Sequence, residues 1–381
     1  MPDSLKILIS SGELSGSLHA AELVKKISTA LPNASFFGMG LSPMQEAGVK
    51  IIVDAKTISV FGGVSVIKNL AALRRAWLTM KKALIEEKPK LIILVDYPGF
   101  NLPLAKLAKK LGIKVVYYIS PKIWAWNLKR IKAIQKSVDL MAVIFPFEVK
   151  FYQNYQVPAA FVGNPSLASV DKYLANHSLE TNSCNTAQKQ HRTIGLFPGS
   201  RHSEIKRLLP VLIEAAMLLK QQDPTVEFIL PKASCIDDSI IKPYLANKPI
   251  SVTISTNPVY SLIRSCDAIV AASGTVTLEI ALMEVPFIIV YKLSWLEYQL
   301  AKRLIKIPYA GLCNILSNRE LAPELLQNDA NADKIAKTLN QLINDSQCRQ
   351  KMIRELKELR KLLEHEPIIE LTTLISRLVT T

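Results

Sequence analysis

The chain has 381 residues, 49% of them apolar, and a formal net charge of +15. That length outgrows one ordinary hydrophobic core, so two domains are expected, and the apolar content excludes a disordered polymer. No run of about 18 uncharged apolar residues occurs, which excludes a membrane-spanning helix.

The opening MPDSLKILIS has an apolar core too short for a signal peptide and reads as a first strand, LKILIS at 5–10. Ala20, Leu23, Val24 and Ile27 follow at helical spacing, on one face. LIILVD (91–96) precedes the helical LPLAKLAKKLG, whose Gly112 marks a stop. KVVYYIS (114–120) and LMAVIF (140–145) continue the series. Residues 171–192 are rich in Asn, Ser, Thr and Gln and read as a polar loop or linker. The alternation resumes with TIGLFP (193–198), VEFILP (226–231), SVTIS (251–255), DAIVAAS (267–273) and PFIIVYKL (286–293). From about 332 the chain is helical and charged. Strand–helix alternation of this kind predicts two successive α/β domains with parallel sheets, 1–170 and 193–345, followed by C-terminal helices over 346–381.

The five cysteines (Cys184, Cys235, Cys266, Cys313, Cys348) form no CxxC pair and the five histidines no HxxxH pair, so neither a zinc site nor a disulfide framework is expected. A reducing cytoplasm fits. The positive charge predicts attraction to nucleic acid, an anionic membrane or phosphorylated substrates, and alone does not choose among them. Trp124 and Trp126 beside Lys and Arg invite base stacking, but no nucleic-acid module accompanies them, and no nucleic-acid partner is expected.

In open α/β sheets ligands lie beyond the carboxyl ends of the strands, and four such ends carry chemistry. In SSGELSGSLHA (10–20), Gly12 and Gly16 flank a strand–helix loop suited to close approach of a ligand, with His19 one turn into the helix. The spacing is not GxGxxG, so a dinucleotide fingerprint is absent. Asp96, in VDYPGFN, is either a general base or the start of a Pro-Gly turn. In LFPGSRHSEI, Gly199 and Ser200 are expected to turn backbone N–H groups outward. Ser203 is expected to cap the helix, and Arg201 to add a planar fork of donors, which makes an anion site. In ASGTVTLEIAL, Ser273, Gly274 and Thr275 suit a second phosphate contact, and Glu279, on the face of Thr275, suits ribose hydroxyls. No GK[ST] occurs, which disfavours a Walker A phosphate loop.

These stretches, with YISPKIWAWNLKRIKAI, FPFEVKFY, FVGNP, VYKLSWL and NILSNRELAPELLQ, run in order from about residue 5 to about 378 and together resemble the lipid-A-disaccharide synthases. The resemblance implies a GT-B fold, two Rossmann-like domains with parallel sheets facing across a cleft. It implies an inverting transfer of 2,3-diacylglucosamine from its UDP derivative to 2,3-diacylglucosamine 1-phosphate (lipid X), without metal or other cofactor. The family works at the inner membrane of Gram-negative bacteria, peripherally on the cytoplasmic face, and suggests a homodimer, with the C-terminal helices packing on the first domain or on a partner subunit. It makes Asp96, Arg201 and His19 the catalytic candidates, Asp96 as base. Gly199, Ser200, Arg201, Ser273, Gly274, Thr275 and Glu279 become UDP-sugar contacts, joined by Asn314 and Gln327 on the family's positions. Two departures, Ser17 for Asp and Asn164 for His, raise the alternatives of altered specificity or of UDP-lipid binding alone. Another UDP-sugar GT-B enzyme is the further alternative.

Residues 58–82 place Val64, Ile67, Leu70, Leu73 and Trp77 at helical spacing, with Arg74, Arg75 and further basic residues and no acid over 64–82. Such a helix packs in a core or lies on an anionic membrane; lipid substrates favour the second, as the acceptor and membrane face.

Overall fold

A computed structural model describes residues 5–58, 66–177, 191–233, 236–304, 308–364 and 370–380. The chain divides into two compact units, one of residues 1–165 with 365–381 and one of residues 166–364.

The first unit holds strands β1 (Leu5–Ser11), β2 (Ala34–Gly40), β3 (Lys50–Asp54), β4 (Leu91–Val95), β5 (Lys114–Tyr118), β6 (Leu140–Val143) and β7 (Ala159–Phe161). They form one parallel sheet in the order β3-β2-β1-β4-β5-β6-β7. Its helices are α1 (Leu14–Ala30), α2 (Ser42–Glu46), α3 (Val66–Glu87), α4 (Pro98–Lys110), α5 (Ile123–Trp126), α6 (Ile131–Ser137) and α7 (Pro146–Gln153). Alternate residues of each strand serve opposite faces. Leu8, Ile92 and Leu94 pack with Met80 and Leu84 of α3 and Leu104 and Ala108 of α4. Ile7, Ile9, Leu91 and Ile93 pack with Ala20, Leu23, Val24 and Ile27 of α1. Helices on both faces explain why β4 is an unbroken apolar run: neither face meets water.

The second unit opens with α8 (Pro165–Asn176) and carries β8 (Thr193–Phe197), β9 (Glu227–Pro231), β10 (Val252–Ser255), β11 (Ala268–Ala272), β12 (Phe287–Tyr291) and β13 (Glu324–Leu326). This sheet is also parallel, in the order β10-β9-β8-β11-β12-β13. Its other helices are α9 (His202–Gln222), α10 (Asp238–Leu245), α11 (Val259–Ser265), α12 (Thr275–Leu282), α13 (Trp295–Leu304), α14 (Leu312–Ser317), α15 (Ala332–Asn344) and α16 (Ser346–Leu363). The last helix, α17 (Leu371–Thr380), returns to the first unit, where Leu371 and Ile375 join the core beside α1.

Three boundaries differ from expectation. The helix α8 runs through the first six residues of the expected 171–192 linker, because Leu167, Val170 and Leu174 continue an apolar face that the Asn and Ser content obscures. The rest of that segment, 178–190, lies outside the described residues. The second unit does not end at 345. Met352, Leu356, Leu359 and Leu363 bury one stripe of α16, and Arg360 ties this helix to Asp171 of α8 and to the Leu282 carbonyl. The expected C-terminal segment therefore divides, α16 belonging to the second unit and α17 to the first.

In both sheets the strand order reverses beside the first strand, between β1 and β4 and between β8 and β11. Crevices at such switch points are where open α/β sheets bind ligands.

Candidate functional site

The switch point of the first unit brings together the loop after β1 and the residues after β4. Asp96 and Tyr97 both take left-handed backbone conformations, with φ of 45° and 47°. Residues without glycine's freedom hold such angles only where their surroundings fix them. Asn101, fully buried, does much of this fixing. Its Nδ2 donates to the carbonyls of Asp96 (2.8 Å), Val95 (3.2 Å) and Ser10 (3.3 Å), while its Oδ1 accepts from Ser10 Oγ (2.7 Å). Tyr117 of β5 donates its hydroxyl to the Asp96 carbonyl at 2.6 Å, and the Asp96 N–H donates to the Tyr118 carbonyl. On the facing loop only a glycine fits at position 12, since a Cβ there would lie 2.4 Å from the Tyr97 ring.

Burial pushes the Asp96 carboxyl up to about 6, and the charge of Glu13 adds to the shift; Lys122 and the Tyr97 backbone oppose it. A carboxylate of that basicity is ionised at neutral pH and still competent to take a proton. His19 is pulled down to about 4 by burial, so at neutral pH it offers hydrogen bonds and no charge. Ser17 is fully buried and donates to Ser11 Oγ at 3.3 Å, and Asn164 donates to the Ile144 carbonyl at 3.3 Å.

At the second switch point the opening of α9 differs from the expected anion cradle. The N-cap is Arg201 and Ser203 lies inside the helix, so Ser203 is no cap. The side chain that satisfies the end is Glu204, whose Oε2 accepts from the Ser200 and Arg201 amides at 3.1 and 3.2 Å. These N–H groups therefore turn inward onto a carboxylate of the chain's own. Gly199, with φ of +103°, lets the backbone pass beside it; a Cβ there would lie 2.2 Å from Glu204 Oε2. The Arg201 guanidinium, about half exposed, pairs with Glu204 Oε1 at 3.3 Å.

Gly274 and Thr275 are exposed at the opening of α12, where the first amides of a helix have no intrahelical acceptor. Ser273, expected beside them on phosphate, has its donors engaged: the amide on the Val290 carbonyl and the hydroxyl on the Ala310 carbonyl at 3.0 Å. One turn along α12, Glu279 accepts from the Tyr260 hydroxyl at 3.2 Å. Burial pushes the Glu279 carboxyl up to about 7, against that hydrogen bond.

Asn314 corrects the expectation of direct ligand contact. Asn314 is fully buried, and its amide makes all four of its hydrogen bonds within the fold. Oδ1 accepts from the Leu321 and Ala322 amides, and Nδ2 donates to the Ala322 carbonyl and to Glu324 Oε1. Glu324 in turn holds the Ala310 and Gly311 amides, and the Ala310 carbonyl is the one that takes the Ser273 hydroxyl. Gln327 is half-buried, and in the amide orientation that satisfies both atoms its Oε1 accepts from the Leu293 amide at 3.0 Å and its Nε2 donates to the Leu293 carbonyl at 3.3 Å. Both residues order loops beside the switch point.

Along α3 the expected apolar stripe splits. Ala76, Met80 and Leu84 face the core, and Trp77 packs there too, edge-on to Phe100 at 5.8 Å, so Trp77 is not part of an outward face. Leu70 (58% exposed), Leu73, Leu78 (51%) and Ile85 stay in solvent with Arg74, Arg75, Lys81 and Lys82. Val64 and the Ile67 side chain lie outside the described residues. Trp124 is committed to the fold, its indole N–H donating to buried Glu148 at 3.1 Å and its ring lying edge-on to Phe147.

Among the described residues, no three His, Cys, Asp or Glu side chains cluster as a metal site and no helix is long and apolar enough to cross a membrane.

A family model described as lipid-A-disaccharide synthetase matches residues 7–376. The chain is 46% identical over 342 residues to the lipid-A-disaccharide synthase of Trichlorobacter lovleyi, covering 90% of this chain and 89% of that protein. It is 42% identical over 364 residues to lipid-A-disaccharide synthase 1 of Legionella pneumophila, covering 95% and 94%. Among solved structures it is similar to the UDP-GlcNAc 2-epimerase of Neisseria meningitidis bound to UDP-GlcNAc, with a TM-score of 0.65 at 11% identity over 99% of this chain and 100% of that one. It is also similar to Acinetobacter baumannii MurG, with a TM-score of 0.54 at 14% identity over 98% and 99%. At such identities the structural likeness speaks for the fold alone.

Proposed function

The chain belongs to the lipid-A-disaccharide synthetase family and has the GT-B fold, and from that premise we infer that its donor is UDP-2,3-diacylglucosamine and its acceptor 2,3-diacylglucosamine 1-phosphate. It is a glycosyltransferase of lipid A disaccharide synthesis. The observation that carries the finer reading is Asp96, a carboxylate fixed at a switch point and held near a pKa of about 6.

In this reading the Asp96 carboxylate takes the proton of the acceptor 6-hydroxyl as that oxygen attacks C1 of the donor sugar. The bond from C1 to the diphosphate oxygen breaks, the electron pair leaves with UDP, and one displacement inverts the anomeric centre. The charge that develops on UDP meets the Arg201 guanidinium and the amides that open α12 at Gly274 and Thr275. Glu279 receives the ribose hydroxyls. His19, neutral, contributes hydrogen bonding. Glu204 orders the loop that carries Arg201, and Asn314, Glu324 and Gln327 order the loops around Ser273 and the end of β12.

The exposed face of α3 supports a peripheral contact with an anionic membrane, apolar side chains entering the interface and Arg74, Arg75, Lys81 and Lys82 meeting headgroups. Such a contact on the cytoplasmic face of the inner membrane delivers both lipids. The test is turnover of the two acylated substrates, with the lipid product read by mass spectrometry and non-acylated UDP-sugars as the comparison.

A further inference from the structure

Tyr260 lies in α11, a helix with no part in the transfer as described so far. Its hydroxyl donates to Glu279 Oε1 at 3.2 Å. A phenol has one proton to give. An ionised carboxylate only accepts, so that proton goes to Glu279. The ring is fixed as well. Tyr260 rests against Tyr173 with centroids 5.6 Å apart, and Tyr173 stacks on His177 at 4.2 Å. Arg264, also on α11, donates to the His177 carbonyl at 3.1 Å, so α8 and α11 are joined at two places.

We propose that Tyr260 is a positioning residue for donor binding, holding the Glu279 carboxylate in the one orientation that receives the two ribose hydroxyls. The proposal rests on the reading of Glu279 as the ribose ligand. Occupying one lone pair of Oε1 leaves the other and the whole of Oε2 for the sugar, and stops the carboxylate from rotating. The same bond favours the ionised form, which accepts hydrogen bonds from both hydroxyls, against the burial that pushes Glu279 up to about 7.

The test compares UDP with 2′,3′-dideoxy-UDP, titrated by calorimetry into the wild-type protein, Tyr260→Phe and Glu279→Gln at pH 8. The wild type is expected to prefer UDP by about 10-fold or more, and Glu279→Gln to lose that preference. Tyr260→Phe keeps the ring contacts and is expected to bind UDP about 5- to 10-fold more weakly with dideoxy-UDP affinity unchanged. Binding of dideoxy-UDP also reports that the variant is folded. A second readout is the pH below which UDP affinity declines, which moves upward in Tyr260→Phe because a bond to the charged form is gone. If Tyr260→Phe weakens both nucleotides equally, or keeps the full preference while Glu279→Gln loses it, the assignment of Tyr260 is overturned and the ribose reading stands. An undiminished preference in Glu279→Gln overturns the ribose reading itself, and the role of Tyr260 with it.

Discussion

Tyr117 donates its hydroxyl to the backbone carbonyl of Asp96 at 2.6 Å, from the neighbouring strand β5. Together with Asn101 it secures a left-handed backbone that costs a residue with a side chain roughly 1–3 kcal/mol. The direction of the Asp96 carboxylate follows from that backbone. Tyr117→Phe, which keeps the ring in the core, is expected to lower kcat by about 10-fold through misplacement of the base. UDP affinity should stay within about twofold, since Tyr117 is buried in the core of the first unit and the proposed nucleotide contacts belong to the second. Steady-state kinetics and calorimetry check the pair of outcomes.

Arg201 is expected to act on both binding and turnover. Arg201→Ala removes the fork of donors and should cost about 100-fold or more in transfer, with UDP binding weakened as well. Arg201→Lys keeps the charge without the planar fork and should fall between the two. Equal UDP affinity in all three proteins, measured by calorimetry, contradicts the role given to this side chain.

The alternation of buried strands and helical faces was readable because parallel strands covered on both faces become continuous apolar runs: LIILV and AIVAA could be little else. Of the strands that escaped the reading, KIIVD (β3) carries a short apolar run of its own, and the others carry weaker signals. ASFFGMG (β2) contains two glycines, and AAF (β7) and ELL (β13) are three-residue edge strands defined by their neighbours. At the site, Asp96 stood out because it follows β4 directly, Arg201 because it lies in the loop after β8, and Glu279 because it comes one turn into the helix that follows β11. Glu204 had a local signal that was passed over, a carboxylate at the third helical position after an N-cap. Tyr117, Tyr260 and Glu324 had none: each meets its partner across 10 to 21 residues of chain, a relationship only the folded sheet creates. Asn314 shows the converse limit, since an amide beside a site reads the same in sequence whether it binds a ligand or holds a loop.

The pH dependence follows from Asp96. Accepting a proton requires the ionised form, and burial with the Glu13 charge holds the carboxyl near 6. At saturating donor, kcat/KM for the acceptor is expected to rise about tenfold per pH unit below that value and to level above it. Glu13→Gln removes a charge that raises the Asp96 pKa, so the acidic limb should move to lower pH. A limb that stays in place, or moves up, contradicts Asp96 as the titrating base.

The solvent face of α3 predicts binding to anionic vesicles that weakens with salt. Leu70→Glu with Leu78→Glu places charge at two exposed positions, outside the packing of Met80 and Leu84, so thermal stability should change little. Co-sedimentation with vesicles containing anionic lipid should drop by about 10-fold or more. Undiminished sedimentation places the membrane contact elsewhere on the protein.

The account turns on one carboxylate, and the most direct test is transfer by Asp96→Ala beside its UDP affinity. The wild-type protein, given UDP-2,3-diacylglucosamine and 2,3-diacylglucosamine 1-phosphate, should yield the β-1,6-linked tetraacyl disaccharide 1-phosphate, identified by mass spectrometry, and UDP. Asp96→Ala should bind UDP within about twofold of wild type and transfer about 100- to 10,000-fold more slowly, the usual loss when a general base is removed. Near-normal turnover in Asp96→Ala, or no disaccharide from the wild type with both lipids dispersed, contradicts the account.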